Sequence, residues 1–534
     1  MFDDGARWSR GLAVVSAVLV LAAFGGALVL MALGTLEASG AWGGVLADRD
    51  YLDRLWFSLG QAAAATVVGL TLGLPASWFL SRGGLPLRGA LVLLVTAPLA
   101  IPGVVVGLGI DLIAGGEVEP RALVILAHAV FATAAVTWLV SPAWNAGSHA
   151  ATEDARLLGA SGVRAYLAGS GRQVPGAVRA AGALAFWYAF AAAGTVAILG
   201  GTEGGTTESV LAFGEGVSAT RPALDDALTS QQSVVALVQV LVGLAVLALG
   251  GTRWPRAGGV SSRRRGRVIA LGVTYLELLA AALWAPLALV AGKAASEDAL
   301  SGLLDASVGG YGVGALLAWT AGLGALSALV ATGLAALAVP LVAPRIERPR
   351  IERSSLEGRR ALLGWLAVLP VALSGAAVGW AGLVLTDRAG MDLDQTYLLT
   401  VVAHALIAYP FALRILATRG VVQHVLMEDA ALLGASPRAV RWRWAGRRTA
   451  MALASTFLIA AVLSAGEVAA ASLLTPDEAT PAALGLLRGW QGHGETEGAV
   501  YTLGTALAVA TVVGFAGAEW LRRAAVQREG RVEA

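Results

Sequence analysis

Two near-identical acidic stretches hold the residue types best suited to specific chemistry: TEDARLLGAS at Thr152–Ser161 and MEDAALLGAS at Met427–Ser436. Their glycines, Gly159 and Gly434, lie 275 positions apart. Each copy predicts a short helix, a break and a second short helix. Glu153 and Asp154, or Glu428 and Asp429, fall in the opening turn of the first helix, where carboxylates suit the helix dipole. Gly159 and Gly434 can take the left-handed conformation that ends a helix. Ser161 and Ser436 can cap the next one, with Pro437 at its first position. Ala155 and Leu158, or Ala430 and Leu433, line one side. Oriented acids beside a small apolar face suit the docking of a partner rather than proton transfer.

Other chemistry lacks candidates. ATP hydrolysis needs a glycine-rich loop with a lysine at the phosphates. Lys293 follows Gly292, but the earlier glycine is missing and Ala294 comes next. There is no H-E-x-x-H, no G-x-S-x-G and no plausible catalytic carboxylate pair. The five histidines are scattered without metal-ligand spacing, and cysteine is absent. No catalytic residue, metal, cofactor or nucleic-acid partner is expected. One charge stands inside an apolar segment, Glu467, about 25 Å along a helix from Ala450 at the usual rise. An ionised carboxylate there costs several kcal/mol, so it faces a cavity, a partner or an interface. It is either a cation-pathway residue or a packing carboxylate bonded to a hydroxyl or an arginine. His128 and His404 read as packing or capping residues near the outer ends of their helices.

The elements that must position these groups are membrane helices. At 57% apolar content and a mean hydropathy of +0.71, the chain is too apolar for an ordinary soluble protein. Apolar runs of about 20 residues span a bilayer as helix, and backbone polar groups there must bond within the segment. The first run ends at Gly34 and is longer than a signal-peptide core of ~7–15 residues, so it reads as an uncleaved anchor with its N-terminus inside. Others lie near 57–80, 90–112, 122–141, 178–200 and 232–250, then 268–292, 312–343, 361–386, 397–417, 450–474 and 499–518. The 312–343 run is long enough for its helix to continue beyond the membrane.

Arginine-rich loops (Arg82/Arg88, Arg156–Arg179, Arg253–Arg267, Arg345–Arg360, Arg438–Arg448, Arg522/Arg523) alternate with acidic ones. The acidic loops hold Asp48/Asp50/Asp53, Glu117/Glu119, Glu203/Glu208/Glu215/Asp225/Asp226, Glu297/Asp298, Asp392/Asp394 and Asp477/Glu478. The positive-inside rule then gives twelve helices with both termini, and both doubled loops, in the cytoplasm. Pro98, Gly103 and Gly107 match Pro370, Gly375 and Gly379 at a constant offset of 272, and LAHA at Leu126–Ala129 matches VAHA at Val402–Ala405. The expectation is an all-α membrane protein of about twelve transmembrane helices in two tandem six-helix repeats. These are residues 1–250 (doubled loop about 150–176) and 268–534 (doubled loop about 425–449), joined by an arginine-rich cytoplasmic linker, 251–267.

The doubled loop resembles the Glu-Ala-Ala loop of permease subunits of ATP-binding-cassette importers. The family's Glu, Ala and Gly fall on Glu153, Ala155 and Gly159, and on Glu428, Ala430 and Gly434. Asp154 and Asp429 replace its middle Ala. The proline that usually follows would fall near Arg172 and Arg447; the first copy has only a displaced Pro175 and the second has none. Two fused halves resemble the thiamine and ferric-iron permeases, as do Ala193–Phe213 and Val462–Pro476.

That resemblance implies a plasma- or inner-membrane permease whose two separate ATPase subunits dock on the loops and whose extracytoplasmic binding protein delivers substrate. Glu153, Asp154, Glu428 and Asp429 would orient the docking helices, while Leu158 and Leu433 pack into the partners' grooves. Competing readings are an ion-coupled secondary transporter, which requires several buried ionisable groups, and a non-transporting membrane scaffold.

Overall fold

The computed structural model describes residues 2–83, 85–116, 118–145, 149–169, 171–200, 205–213, 225–250, 261–263, 266–296, 306–308, 310–342, 366–392, 396–432, 446–492 and 497–527. Among them, nine helices are long and apolar enough to cross a membrane. Four are in the first half: α1 (Phe2–Gly34), then after a short α2 (Ala41–Ala47) α3 (Arg49–Leu80), and further on α6 (Pro120–Val140) and α12 (Asp226–Gly250). Asp48 caps α3, its carboxylate accepting from the Asp50 N–H at 3.0 Å.

Two further segments are sharply bent. α4 (Arg88–Thr96) passes through a 3-10 turn to Ala100 and meets α5 (Gly103–Ala114) at 97°. Leu366–Ala372 meets α15 (Gly375–Ala389) at 92°. Each bend follows a proline, Pro98 or Pro370, which cannot supply the N–H that a continuing helix needs. The runs 90–112 and 361–386 are therefore bent pairs and not straight spans.

Between these bends lie α6 (Pro120–Val140), α7 (His149–Leu157), α8 (Gly162–Ala168), α9 (Val174–Phe190), α10 (Gly194–Leu199), α11 (Thr207–Phe213), α12 (Asp226–Gly250), α13 (Gly266–Ser296) and α14 (Val313–Val342). After α15 come α16 (Tyr397–Leu432), α17 (Gly446–Ala465), α18 (Ala469–Leu474), α19 (Ala482–Gln491) and α20 (Glu497–Gln527). The expected span 178–200 is broken after Phe190, and 450–474 after Ala465. Counting each bent pair as one span gives eleven candidates among the described residues, against the twelve expected. The shortfall is α9, whose 17 residues end at the break.

Helices α3 and α6 show how packing proceeds when the surroundings are as apolar as the interface. A Cβ on Gly69 would lie 2.5 Å from Ala132 Cβ, and one on Gly73 2.9 Å from the Thr133 carbonyl. Small residues four apart let the backbones touch, which is how helices associate in lipid. Gly69→Val is expected to destabilise the chain by about 1–3 kcal/mol through overpacking. Gly60→Val, on the same helix in open space, is the neutral control. Denaturation of both variants in one detergent makes the comparison, and equal midpoints would refute the close approach.

The sequence halves interleave. α1 packs on α14, where Ser16 donates to the Leu334 carbonyl at 2.7 Å. α5 crosses α13 with Gly109 against Pro286. α12 lies on α15, where Trp380 Nε1 donates to Ser233 Oγ at 3.0 Å.

The two ends of the bundle differ. One end gathers the C-terminal ends of α3 and α20 and the start of α4, with Arg88 Nε donating to the Leu80 carbonyl and Arg523 Nη1 to the Gly89 carbonyl. There β1 (Arg82–Gly83) pairs in parallel with β2 (Ser261–Arg263), tying the linker to that end. At the other end Arg388 pairs with Glu37, joining the tips of α15 and α1. A two-residue hairpin, β3 (Ser307–Val308) with β4 (Tyr311–Gly312), precedes α14.

Candidate functional site

The first doubled loop forms a helical hairpin at the arginine-rich end. α7 begins at His149, so Glu153 and Asp154 lie in the body of the helix and not in its opening turn. Gly159 has φ +86°, and the Ala160 N–H donates to the Ala155 carbonyl at 2.9 Å, closing the helix end as its sequence predicts. Ser161 occupies the N-cap position of α8, but its side chain makes no capping bond. Gly169 touches Thr152, locking α8 against α7. Tyr166 donates to the Trp144 carbonyl, and Trp144 Nε1 donates to Ser77 Oγ at 2.8 Å, fastening the hairpin to α3.

Around its turn the hairpin exposes large apolar side chains. Leu157 and Leu158 are 87% and 88% exposed, and Val163 is 71% exposed. Glu153 and Asp154 flank them in solvent, and Ala155 is half-buried. Leu157, Leu158 and Val163 thus form an exposed apolar tip on a structure fastened from behind.

The second copy departs from the first. α16 runs unbroken from Tyr397 to Leu432, so Glu428, Asp429 and Ala430 lie near the C-terminal end of a 36-residue helix and not in the opening turn of a separate one. Leu433, Gly434 and Ser436 lie outside the described residues.

A second group of residues sits where the helices break. Between α17 and α18, Glu467 is outside any helix, which corrects its expected place within one. Its Oε1 accepts from the Ala469 N–H at 3.2 Å and its Oε2 from the Ala470 N–H at 3.2 Å. The first N–H groups of a helix have no partner within it, and deep in a bilayer no bulk water supplies one. The carboxylate supplies it, in place of the hydroxyl or arginine partner expected. Glu467 Oε1 also abuts Gly375 at the start of α15, where a side chain would displace it.

The break between α9 and α10 has the same plan. A Cβ on Gly103, at the start of α5, would lie 2.5 Å from Thr195 Oγ1. Gly103 and Gly375, like Thr195 and Glu467, stand 272 positions apart, and so do the contacting pairs Gly107–Ile198 and Gly379–Ala470. The two breaks face each other, since Gly194 approaches Val468 and Gly466 approaches Pro102. Gly103, Ala191, Ala192, Gly194, Gly466 and Glu467 keep partial exposure beside buried residues of both breaks.

Sequence reasoning missed Glu208, which was expected in an acidic outer loop. It is fully buried in α11, and its Oε1 accepts from the Ala376 N–H of α15 at 2.9 Å. Ser374 Oγ accepts from the Ala377 N–H and donates to Gln239 Oε1 at 2.9 Å, completing the cap of α15. Among the described residues Glu208 Oε2 and Gln239 Nε2 are buried without a partner. Glu208 and Glu467 thus meet the first turn of α15 from opposite halves of the sequence. Their counterparts 272 positions away are Thr480 and Thr195, so both acids collect on one of two otherwise matching bends. The readable signal was the TTES run at Thr206–Ser209, a capping pattern just before the apolar Val210–Phe213.

His128 and His404 are buried packing residues, as expected. Their Nδ1 atoms meet Gln61 Oε1 and Ser464 Oγ, each at 2.7 Å. No cluster of three or more metal-ligating side chains occurs among the described residues. An apolar cavity between α9, α12 and α16 is lined in part by Arg414 and does not include Glu467.

Fold and site together define a multi-pass helical membrane protein with a docking-shaped hairpin at one end and paired helix breaks at its centre. No family model matches the chain.

Proposed function

We propose that the chain is the permease subunit of a binding-protein-dependent importer, moving a small solute by alternating access driven by separate ATPase subunits. The observation that carries this reading is the α7–Gly159–α8 hairpin, which presents Leu157 and Leu158 almost fully exposed at the arginine-rich end. Within one chain that exposure has no structural use; against the groove of a partner it becomes buried apolar surface. The end of α16, with Glu428 and Asp429, is the second docking element. The contacts recurring at 272 positions support two tandem six-helix repeats, with α9 and α10 making the twelfth span. The facing breaks form the translocation route, and Glu467 and Glu208 beside it favour a cationic solute, of which thiamine and ferric iron are the types the resemblance suggests. An extracytoplasmic binding protein delivers that solute at the end carrying Glu37 and Arg388.

This orientation puts both termini and both doubled loops in the cytoplasm. Single cysteines at Gly159 and Gly434 are expected to resist a membrane-impermeant thiol reagent applied to intact cells, while a cysteine at Leu36 reacts. Labelling of either loop position from outside would refute the orientation and the docking assignment together.

A second reading, an ion-coupled secondary transporter, gains support from Glu208, because two buried carboxylates meet its requirement better than one. The energy source separates the two. Uptake by the reconstituted chain with an ion gradient and no ATPase favours the secondary transporter; uptake only with ATPase subunits and ATP favours the importer.

A further inference from the structure

The arginine-rich end holds a charge cluster that transport does not use. Glu519 on α20 is buried and accepts from Arg522 through Nε and Nη2, and from Arg523 Nε at 2.8 Å. Arg523 Nη1 continues to the Gly89 carbonyl at 2.8 Å, which brings α20 against the start of α4. Arg88, beside Gly89, gives its Nε to the Leu80 carbonyl and lies within electrostatic reach of Arg522, Arg523 and Glu519. Arg522 and Arg523 share one carboxylate and Arg88 adds a third guanidinium beside them, so positive charge is in excess at this corner among the described residues. Donors are also left over: Arg523 Nη2 is buried without a partner, and both Nη atoms of Arg88 are unbonded among the described residues.

The neighbouring surface is apolar and faces outward. Trp520, Val513 and Val509 are 68%, 63% and 52% exposed and fall on one stripe of α20, running from the arginines toward the middle of the bundle. Leu87, at the start of α4, is also exposed. A tryptophan at that height is the usual interfacial residue of a membrane helix. The stripe fits an acyl chain, and the Arg88 guanidinium beside the part-exposed Arg523 fits a phosphate, which arginine binds through paired N–H groups.

We propose that the corner formed by Arg88, Arg522, Arg523 and Trp520 binds an anionic phospholipid. The phosphate rests on Arg88 and Arg523, and an acyl chain lies along Val513 and Val509. The site needs only that the chain resides in a bilayer, so it stands apart from the importer reading. An anionic headgroup here relieves the repulsion among the arginines and pins α20 to α4 at the end where the docking hairpin is fastened.

The test is native mass spectrometry of the full chain in detergent, titrated with phosphatidylglycerol or phosphatidylcholine of matched acyl chains. Wild-type protein is expected to retain phosphatidylglycerol at least tenfold better, with millimolar inorganic phosphate failing to displace it. Arg88→Gln and Arg523→Gln are expected to lose that preference, and Arg88→Lys to recover part of it, with both Arg88 variants still folded in phosphatidylcholine. Arg88 gives up one bond to the Leu80 carbonyl, whereas Arg523 gives up bonds to Glu519 and the Gly89 carbonyl, so if Arg523→Gln fails to fold, a folded Arg88→Gln decides the matter. Equal retention of the two lipids, wild-type retention by Arg88→Gln, or displacement by free phosphate would each overturn the proposal.

Discussion

Leu158→Asp is expected to leave the helical bundle folded while removing its association with ATPase subunits. The side chain is 88% exposed in the isolated chain, so its loss takes nothing from the core. Burying a leucine in a partner's groove is worth about 1.5–3 kcal/mol, and every 1.4 kcal/mol is tenfold in affinity. Losing that burial alone weakens docking by about ten- to a hundredfold, and desolvating the new carboxylate adds to the loss. The measurement is co-purification with the ATPase subunits, with the melting temperature of the chain as the folding control. Undiminished co-purification would mean that the hairpin is not the docking element. Gly159→Val probes the same element differently. A Cβ there meets nothing within 4 Å, so the cost is left-handed backbone strain of roughly 1–2 kcal/mol, confined to the turn that sets the angle between α7 and α8.

The membrane helices were legible because the bilayer demands long apolar runs, and every such run in the sequence carries helix. The interruptions were not, because hydropathy averages across a break of three residues. Pro98, Gly103, Pro370 and Gly375 were visible as a repeated pattern, yet nothing in the pattern announces turns of 97° and 92°. That required knowing that α5 and α15 each pack against the next break in their own half. The second doubled loop shows the reverse error. Its sequence so resembles the first that a separate short helix was expected, but after Pro410 no proline interrupts the run to Leu432, and the helix simply continues.

The acids divide along the same line. Glu153 and Asp154 were read as belonging to an exposed element, and they are exposed. Glu208 was assigned to a loop because it lies between Glu203 and Glu215, and charge counting treats such residues alike. Its place is set by an unpaired N–H at the start of a helix about 170 positions further on, a need that exists only after the chain has folded. Glu467 was recognisable as costly; what offsets the cost was hidden, because its partners are the backbone N–H groups of its own next turn.

Glu467→Gln is expected to reduce uptake of a cationic solute at least tenfold in the assembled complex while leaving assembly intact. The amide keeps the volume of the carboxylate, and its carbonyl oxygen can still accept from Ala469 or Ala470, so the start of α18 stays capped. What disappears is one negative charge beside the facing breaks, where Glu208 is the other acid. A neutral analogue of the solute should lose less, because only the electrostatic part of its passage changes. Gly375→Ala tests the same place through space, since any Cβ there must displace the Glu467 carboxylate; it should reduce uptake even though the charge is retained. Reconstituted uptake of a charged and a neutral solute, with subunit stoichiometry checked in parallel, decides between the roles. Wild-type uptake by Glu467→Gln would leave the carboxylate as the cap of α18 and nothing more, and the route would then have to run past Glu208 alone.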